Sequence, residues 1–245
     1  MRKGLVVVFL LGLMSQARAQ VLLGTFDSSN ENWRYVTLSV PFTSVPTVSS
    51  TAAANFLGSY GIPPGSIGWD STEPGGYQYW ATPVAWSGSK LSYYGYTVTW
   101  NYWYYTPGSW NNAWGDIAIR TTSGTWLVAD VTPTAPTMAP NATDNTVWNT
   151  LSVRLDPSGN WRVGSVSGSL ATAAQIQNAL ANFDYLVIRA EVRTETVELM
   201  RMDNFRVVPE AGTFASMGAF LSTGLAWVWR RRQLLRREFC LRVTR

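Results

Sequence analysis

The middle of the chain alternates short apolar or aromatic segments with groups of Gly, Pro, Ser, Thr and Asn. Segments rich in Val, Thr, Tyr, Trp and Ile that are bounded by such residues are typical of β-strands. The pattern predicts strands at residues 22–26, 33–40, 77–80, 91–105, 116–121, 125–131, 148–155, 185–193 and 197–207. Short strands with irregular connections predict an antiparallel β-sandwich.

One segment has a different period. Residues 171–182 carry Ile176, Ala179 and Leu180 at spacings of three and four, and Phe183 follows. This spacing places apolar side chains on one face of a short amphipathic helix. Thr172 or Ser169 is positioned to cap its amino terminus. We expect the apolar face to cover one end of the sandwich.

The longest predicted strand contains the stretch YYGYTVTWNYWYY, residues 93–105, with eight aromatic residues. A strand sends alternate side chains to opposite faces. The even positions from 94 to 104 are all apolar or aromatic, whereas the odd positions are polar from 95 to 101 and aromatic only at the two ends. The even face is therefore predicted to lie in the core.

Magnitudes support this assignment. Burial of five large rings contributes on the order of 20–30 kcal/mol before entropy, whereas a ring stacked on a ligand contributes about 1–3 kcal/mol. Trp103 and Tyr105, on the opposite face, remain as candidate ligand platforms, together with Trp110 and Trp114 in the following loop. Such rings suit the flat C–H faces of sugars, although tryptophan also fills cores.

The amino terminus has the features of a secretory signal peptide. Arg2 and Lys3 precede an apolar run at 5–14, and Ala17-Arg18-Ala19 forms a small-x-small site before Gln20. The apolar run is too short to span a bilayer. Residues 1–19 are therefore predicted to be removed by cleavage between Ala19 and Gln20 during export.

The carboxyl terminus contains a second apolar segment. Residues 211–229 are uncharged and end at Arg230-Arg231-Arg232. Nineteen residues make a helix of about 29 Å, which matches the hydrocarbon core of about 30 Å. A transmembrane helix is predicted here, with the arginines and the basic tail 233–245 in the cytoplasm and the preceding residues outside.

Charge and composition exclude several classes of function. The whole chain has a net charge of +4, but residues 20–208 have nine basic and thirteen acidic residues, so 9 − 13 = −4. An acidic exported domain argues against nucleic-acid binding. The chain has no histidine, and its one cysteine is Cys240 in the tail, which excludes Ser-His-Asp and Cys-His catalysis and histidine-ligated zinc.

The segment YWATPVAWSGSKLSYYGYTVTW, residues 79–100, resembles the laminin domain IV (laminin B) family. The matching positions are Gly88, Leu91, Ser92, Tyr94 and Gly95, with Tyr93 as an additional residue. Farther on, LVIRAEV at 186–192 and MDNFRV at 202–207 follow in the order of that family. The resemblance covers residues 26–207. It implies a jelly-roll β-sandwich of the galactose-binding-like kind and no catalytic residues.

The carboxyl terminus resembles the PEP-CTERM sorting signal. Val208-Pro209-Glu210, the hydrophobic helix and Arg230-Arg231-Arg232 follow its order over residues 208–232. Ala211 stands where that family has a second proline, and thirteen residues follow the arginines. The resemblance implies an exosortase as partner and at least transient anchoring in the inner membrane of a Gram-negative bacterium through the hydrophobic helix. It also implies a final location at the cell surface or in the extracellular matrix, in association with extracellular polysaccharide.

Acidic residues offer two further hypotheses. Asp27 and Asp203 follow or lie in the first and last predicted strands, so they are candidate ligands of a structural Ca²⁺, with other oxygens completing the shell. The alternative is that they serve turns and loop hydrogen bonds. Candidate glycosidase carboxylates are Asp70, Glu73, Asp116 and Asp130, which also fit an ordinary solvated acidic surface.

Together these patterns predict an exported, non-enzymatic surface or extracellular-matrix protein associated with polysaccharide or adhesion. The alternative is a secreted glycan-active enzyme that uses a carboxylate pair.

Overall fold

The computed structural model describes residues 22–209 apart from residues 72–75, 108, 133 and 193–197. The strands are β1 (Leu22–Gly24), β2 (Arg34–Leu38), β3 (Val48–Ala53), β4 (Asn55–Leu57), β5 (Ser66–Ser71), β6 (Tyr77–Ala81), β7 (Thr97–Tyr105), β8 (Ile117–Thr121), β9 (Trp126–Ala129), β10 (Asn149–Arg154), β11 (Arg162–Val163), β12 (Phe183–Arg189) and β13 (Glu198–Val208). The helix α1 is Ala173–Ala181.

These strands form two antiparallel sheets that pack face to face. The first sheet has the order β10-β7-β13-β5-β4, and β1 also pairs with β13. The second has the order β11-β9-β8-β12-β6-β2-β3. Rings from both sheets meet between them, as in the edge-to-face pair of Trp80 and Tyr102 at 6.1 Å. The described residues therefore form an all-β sandwich with one helix, which confirms that part of the prediction.

The alternation predicted for the long strand is present in β7. Val98, Trp100, Tyr102 and Tyr104 are all buried, and they face the second sheet. On the opposite side Thr97, Thr99 and Asn101 are only half-buried. The polar face of β7 is therefore the outer face of the first sheet.

The helix is also confirmed. Thr172 is its amino-terminal cap: the Thr172 hydroxyl accepts from the backbone N–H of Gln175, while the Gln175 side chain accepts from the backbone N–H of Thr172. This capping box satisfies two N–H groups that have no partner inside a helix. Ile176, Ala179 and Leu180 are buried on its inner face.

The structure corrects the start of the long strand. Residues Leu91–Tyr93 form a turn of 3₁₀-helix, and β7 begins only at Thr97. Gly95 lies between them with φ of 82°, a backbone conformation that glycine adopts more readily than other residues. Its N–H donates to the carbonyl of Leu155. Aromatic content alone does not distinguish such a turn from a strand.

Four strands were not predicted. These are β3, β4, β5 and β11. β3 has the sequence VSSTAA and is exposed along its whole length, so it lacks the buried alternate positions that reveal a strand. β11 has only two residues.

The predicted signal peptide and its cleavage site at Ala19–Gln20 lie outside the described residues, as do Glu210, the transmembrane helix 211–229, Arg230–Arg232 and the tail. Val208 ends β13, and Pro209 follows it. Within the described ranges, no helix is both long enough and apolar enough to cross a membrane.

Candidate functional site

The outer face of the first sheet carries a groove of about 240 Å³. We call it the polar trough. It is lined by Ile62, Thr99, Trp100, Asn101, Thr150, Asn204 and Arg206. Asn101 and Thr150 are direct partners across β7 and β10, and the Asn101 side-chain amide donates to the Thr150 hydroxyl at 3.0 Å. The floor of the trough is therefore built by the polar positions of β7 and its neighbours.

A bulge in β13 brings two further side chains to the trough. Asp203 pairs with Asn101 and Arg206 pairs with Thr99, so two residues of β13 oppose one residue of β7. Asn204 adopts φ of 52° at this point, and Phe205 is buried in the core. A bulge of this kind redirects the side chains on either side of it. As a result, Asn204 and Arg206 both face the trough, and Arg206 Nη2 donates to Asn204 Oδ1 at 3.0 Å.

The buried carboxylate of Asp203 anchors one wall of the trough. It accepts hydrogen bonds from the backbone N–H of Ile62 and of Asn204, each at 2.6 Å. The Asn204 side-chain amide donates to the Ile62 carbonyl at 2.6 Å and to Asp203 Oδ2 at 3.2 Å. These contacts hold Ile62, which is 49 % exposed, at the rim as an apolar contact surface.

The electrostatics of this wall follow from burial. Burial, with a smaller contribution from the charge of Asp27, raises the pKa of Asp203 from 3.8 to about 6. The hydrogen bonds from Ile62 and Asn204 and the charge of Arg206 act in the opposite direction and lower that pKa. The buried Asp203 carboxylate is therefore held by three N–H groups, from the backbone of Ile62 and from the backbone and side chain of Asn204.

The structure corrects the expectation that Trp103 is an exposed platform. Trp103 is 0 % exposed, although it lies on the outer face of the sheet. Its cross-strand neighbour Arg201 lies 4.0 Å from its ring, and the ring of Tyr60 covers the other side of Arg201 at 3.8 Å. The Trp103 indole N–H donates to the Asp144 carbonyl at 2.6 Å.

Two loops produce this burial. The loop at 58–65 and the loop at 140–148 meet where Asn145 Nδ2 donates to the Gly61 carbonyl at 3.3 Å. They cover the end of the sheet that carries Trp103 and leave the end with Thr99 and Asn101 open. Tyr105, the second predicted platform residue, is half-buried at the end of β7.

Trp110 and Trp114 are also packing residues, at 8 % and 6 % exposed. They enclose the buried guanidinium of Arg189, which lies 4.1 Å and 4.8 Å from the two rings. Arg189 also donates to the carbonyls of Asn111, Glu191 and Val192. A cation stacked between rings and bound to carbonyls stabilises the loop, so these tryptophans are not available to a ligand in this conformation.

The predicted proximity of the first and last strands is present, since β1 pairs with β13. The calcium ligation suggested for Asp27 and Asp203 stays a prediction. Three N–H groups already bind the Asp203 carboxylate, which has about four lone-pair positions. Among the described residues, no group of three or more His, Cys, Asp and Glu side chains is placed to hold a metal ion.

Of the four candidate catalytic carboxylates, the structure brings Asp116 and Asp130 together, since both accept from the backbone N–H of Thr132. Asp70 lies in β5, and Glu73 lies outside the described residues. Asp116 is buried, and its Oδ2 accepts from the N–H of Val131 and from both the N–H and the hydroxyl of Thr132. Burial and the neighbouring charge of Asp116 raise the pKa of Asp130 to about 6. Asp130 borders a second groove, of about 360 Å³, beside β10.

Reasoning from the sequence missed the trough itself. The alternation of β7 placed Thr99 and Asn101 on the polar face, and that signal was available. The positions of Asn204 and Arg206 depend on the β13 bulge. The position of Ile62 depends on a distant loop, since the residues of the Asn204–Ile62 hydrogen bond are 142 positions apart in the chain.

A model of the laminin B (domain IV) family matches residues 79–208. The L4b domain of human laminin alpha-2 is similar in structure, with a TM-score of 0.56 and 13 % identity over 77 % of this chain and 97 % of that one. This similarity shows a shared sandwich fold. A family 11 carbohydrate-binding module of a Clostridium thermocellum cellulase matches with a TM-score of 0.41 and 12 % identity over 78 % of this chain and 95 % of that one.

A β-1,2-glucanase from Parabacteroides distasonis matches with a TM-score of 0.44 and 13 % identity, over 76 % of this chain but only 24 % of that one. No curated protein matches the chain in sequence.

Proposed function

Because the chain belongs to the laminin B (domain IV) family, we propose that it is an exported, non-enzymatic protein of the cell surface or extracellular matrix. The domain binds polysaccharide through the polar trough and so contributes to adhesion. Family membership, the signal-peptide pattern of residues 1–19 and the acidic, disulfide-free domain support this proposal.

The observation that carries the binding proposal is the chemistry of the trough. Thr99 and Thr150 present hydroxyls, Asn101 and Asn204 present amides, and Arg206 presents a guanidinium, all along one open groove. Ile62 adds an apolar rim. Sugars are bound by such sets, in which a few polar groups bond the hydroxyls while an apolar surface covers the C–H faces.

Affinity gel electrophoresis tests this function. The full chain is run through gels that contain hydroxyethyl cellulose, glucomannan, alginate or polygalacturonate, and retardation relative to an empty gel reports binding. We expect retardation by at least one polysaccharide. Asn101→Ala should weaken it by about tenfold, because the variant loses one or two hydrogen bonds of about 0.5–1.5 kcal/mol each.

The matched control is Asn112→Ala, which makes the same change at an exposed turn outside the trough. Equal binding by the two variants, or no retardation of the parent chain by any of the gels, contradicts the proposal.

The sorting route is proposed from the carboxyl terminus. Residues 208–232 would be recognised by an exosortase while the helix 211–229 holds the chain in the inner membrane. Loss of surface display when Arg230, Arg231 and Arg232 are changed to Gln supports this route. Unchanged display in a host without an exosortase contradicts it.

A glycan-active enzyme is the second candidate. The observation that favours it is Asp130, whose raised pKa suits an acid and which borders the groove beside β10. Release of reducing ends from the same polysaccharides, abolished by Asp130→Asn, would support this alternative. Absence of hydrolysis by the parent chain would remove it.

A further inference from the structure

The positive charge of Arg206 in the polar trough is balanced by the buried carboxylate of Asp203. Among the residues that line it, Arg206 is the only ionisable one. Arg206 Nη2 donates to Asn204 Oδ1, and the Asn204 amide in turn donates to Asp203 Oδ2. The cation and the buried carboxylate are thus joined through one intervening side chain, and their formal charges sum to zero.

The direction in which Arg206 shifts the pKa of Asp203 agrees with this geometry. The charge of Arg206 lowers this pKa, and the charge of Asp27 raises it. Asp27 and Arg206 therefore both lie within electrostatic reach of Asp203, and the formal charges of the three groups sum to −1. The exported domain as a whole carries −4.

The guanidinium of Arg206 retains N–H donors that can bind a ligand. It has five N–H donors, and its Nη2 donates to Asn204. The remaining donors can bond neutral hydroxyls. A carboxylate or sulfate entering the trough would lose hydration without meeting a net positive field, and the negative domain would repel it.

We propose that the trough binds neutral polysaccharides in preference to acidic ones, and that Asp203 sets this preference by neutralising Arg206. This inference rests on the polysaccharide-binding function proposed above. Asp203 is a specificity-determining residue that acts through Arg206 and Asn204 without contacting the sugar.

The test compares neutral gels (hydroxyethyl cellulose, glucomannan) with acidic gels (alginate, polygalacturonate). The full chain is run at about 0.05 M and at about 0.5 M NaCl, because the screening length falls severalfold between these concentrations. EDTA is present throughout, so that no divalent cation contributes charge. We expect retardation by a neutral gel that is the same within about twofold at both salt concentrations, because neutral contacts are insensitive to screening.

Asp203→Asn removes the countercharge. It should raise the ratio of acidic to neutral retardation at least about fivefold at low salt, and high salt should abolish the gain. Asp27→Asn should change the ratio in the same direction by less. Asp27 is exposed, and its carboxylate accepts a hydrogen bond from the neighbouring Thr25 hydroxyl. Its substitution should therefore disturb the fold little, so this variant keeps the test available if Asp203→Asn does not fold.

Asp184→Asn is the matched control. Asp184 pairs with Arg120 on the second sheet, so this change also frees an arginine, but outside the trough. It should leave the ratio unchanged. An equal gain in this variant would mean that any unpaired arginine attracts acidic chains, and would overturn the role of Asp203.

The remaining outcomes separate the two proposals. Salt-sensitive retardation of the parent chain mainly by acidic gels overturns the preference for neutral chains and leaves polysaccharide binding standing. No retardation by any gel overturns both. Neutral retardation without a gain in Asp203→Asn or Asp27→Asn overturns the assignment to Asp203.

Discussion

The buried carboxyl of Glu191 makes the stability of the domain depend on pH. The side chain lies next to Arg189, and its Oε2 accepts from the backbone N–H of Gln78 at 2.9 Å. Burial raises its pKa from 4.5 to about 7, although the Gln78 hydrogen bond and the charge of Arg189 lower it. The substitution Glu191→Gln keeps an acceptor oxygen for Gln78 and removes the titration.

The sign follows from proton linkage. The folded state holds the Glu191 proton up to about pH 7, whereas the unfolded chain releases it near its ordinary pKa. Between these values the folded state binds more protons, so the free energy of unfolding falls as the pH rises. A shift of this size lowers the stability of the parent chain by about 2.5 kcal/mol between pH 5 and pH 8.

Urea unfolding of both proteins, followed by tryptophan fluorescence at pH 5, 6, 7 and 8, measures this effect. The stability of Glu191→Gln minus that of the parent chain should rise by about 2–3 kcal/mol from pH 5 to pH 8. Other acids that titrate in this range, such as Asp203, are present in both proteins and cancel in the difference.

Asp144→Asn is the control, because hydrogen bonds from Thr146 lower the pKa of Asp144, which is therefore ionised throughout this range. Its stability difference should not change with pH. A difference for Glu191→Gln that is equally flat would refute the reasoning, since it would mean that Glu191 ionises in the fold as readily as in the unfolded chain.

Three further outcomes are expected. Trp103→Ala should lower the free energy of unfolding by about 3–5 kcal/mol, and Trp103→Phe by less. Both variants should still bind polysaccharide at temperatures where they are folded. Loss of binding by a folded variant would show that Trp103 is a ligand platform after all. Thr172→Ala should cost about 1 kcal/mol in urea unfolding through loss of the helix cap, whereas Ser169→Ala, at the other predicted cap, should cost nothing measurable. If Ca²⁺ binds at Asp27 and Asp203, EDTA should lower the melting temperature, and an unchanged melting curve would exclude the site.

Local patterns were sufficient for several features. The two-residue period of β7 identified its core face, and apolar spacings of three and four predicted α1, with Thr172 as one of two possible caps. These predictions succeeded because strand alternation and helix capping depend on residues within a few positions of one another. The segment at 79–100 identified the family for a similar reason, since it is one continuous stretch.

The aromatic residues show where local patterns stop. Trp103 lies at an odd position of β7, on the outward face where the alternation predicts exposed residues. It is nonetheless buried, because Arg201 and the loops at 58–65 and 140–148 cover it. The periodicity of a strand tells which face a side chain takes, but not what lies on that face.

Local patterns in the sequence were enough to predict an all-β domain, its principal core strand, its helix and its family. The site depends on the assembled fold. Asn204 and Arg206 reach the trough only through the β13 bulge, and Asp203 holds Ile62 in place from 141 positions away. Propensity and periodicity act between near neighbours in the chain, whereas the trough depends on strand register and loop contacts that exist only after the sheets have assembled.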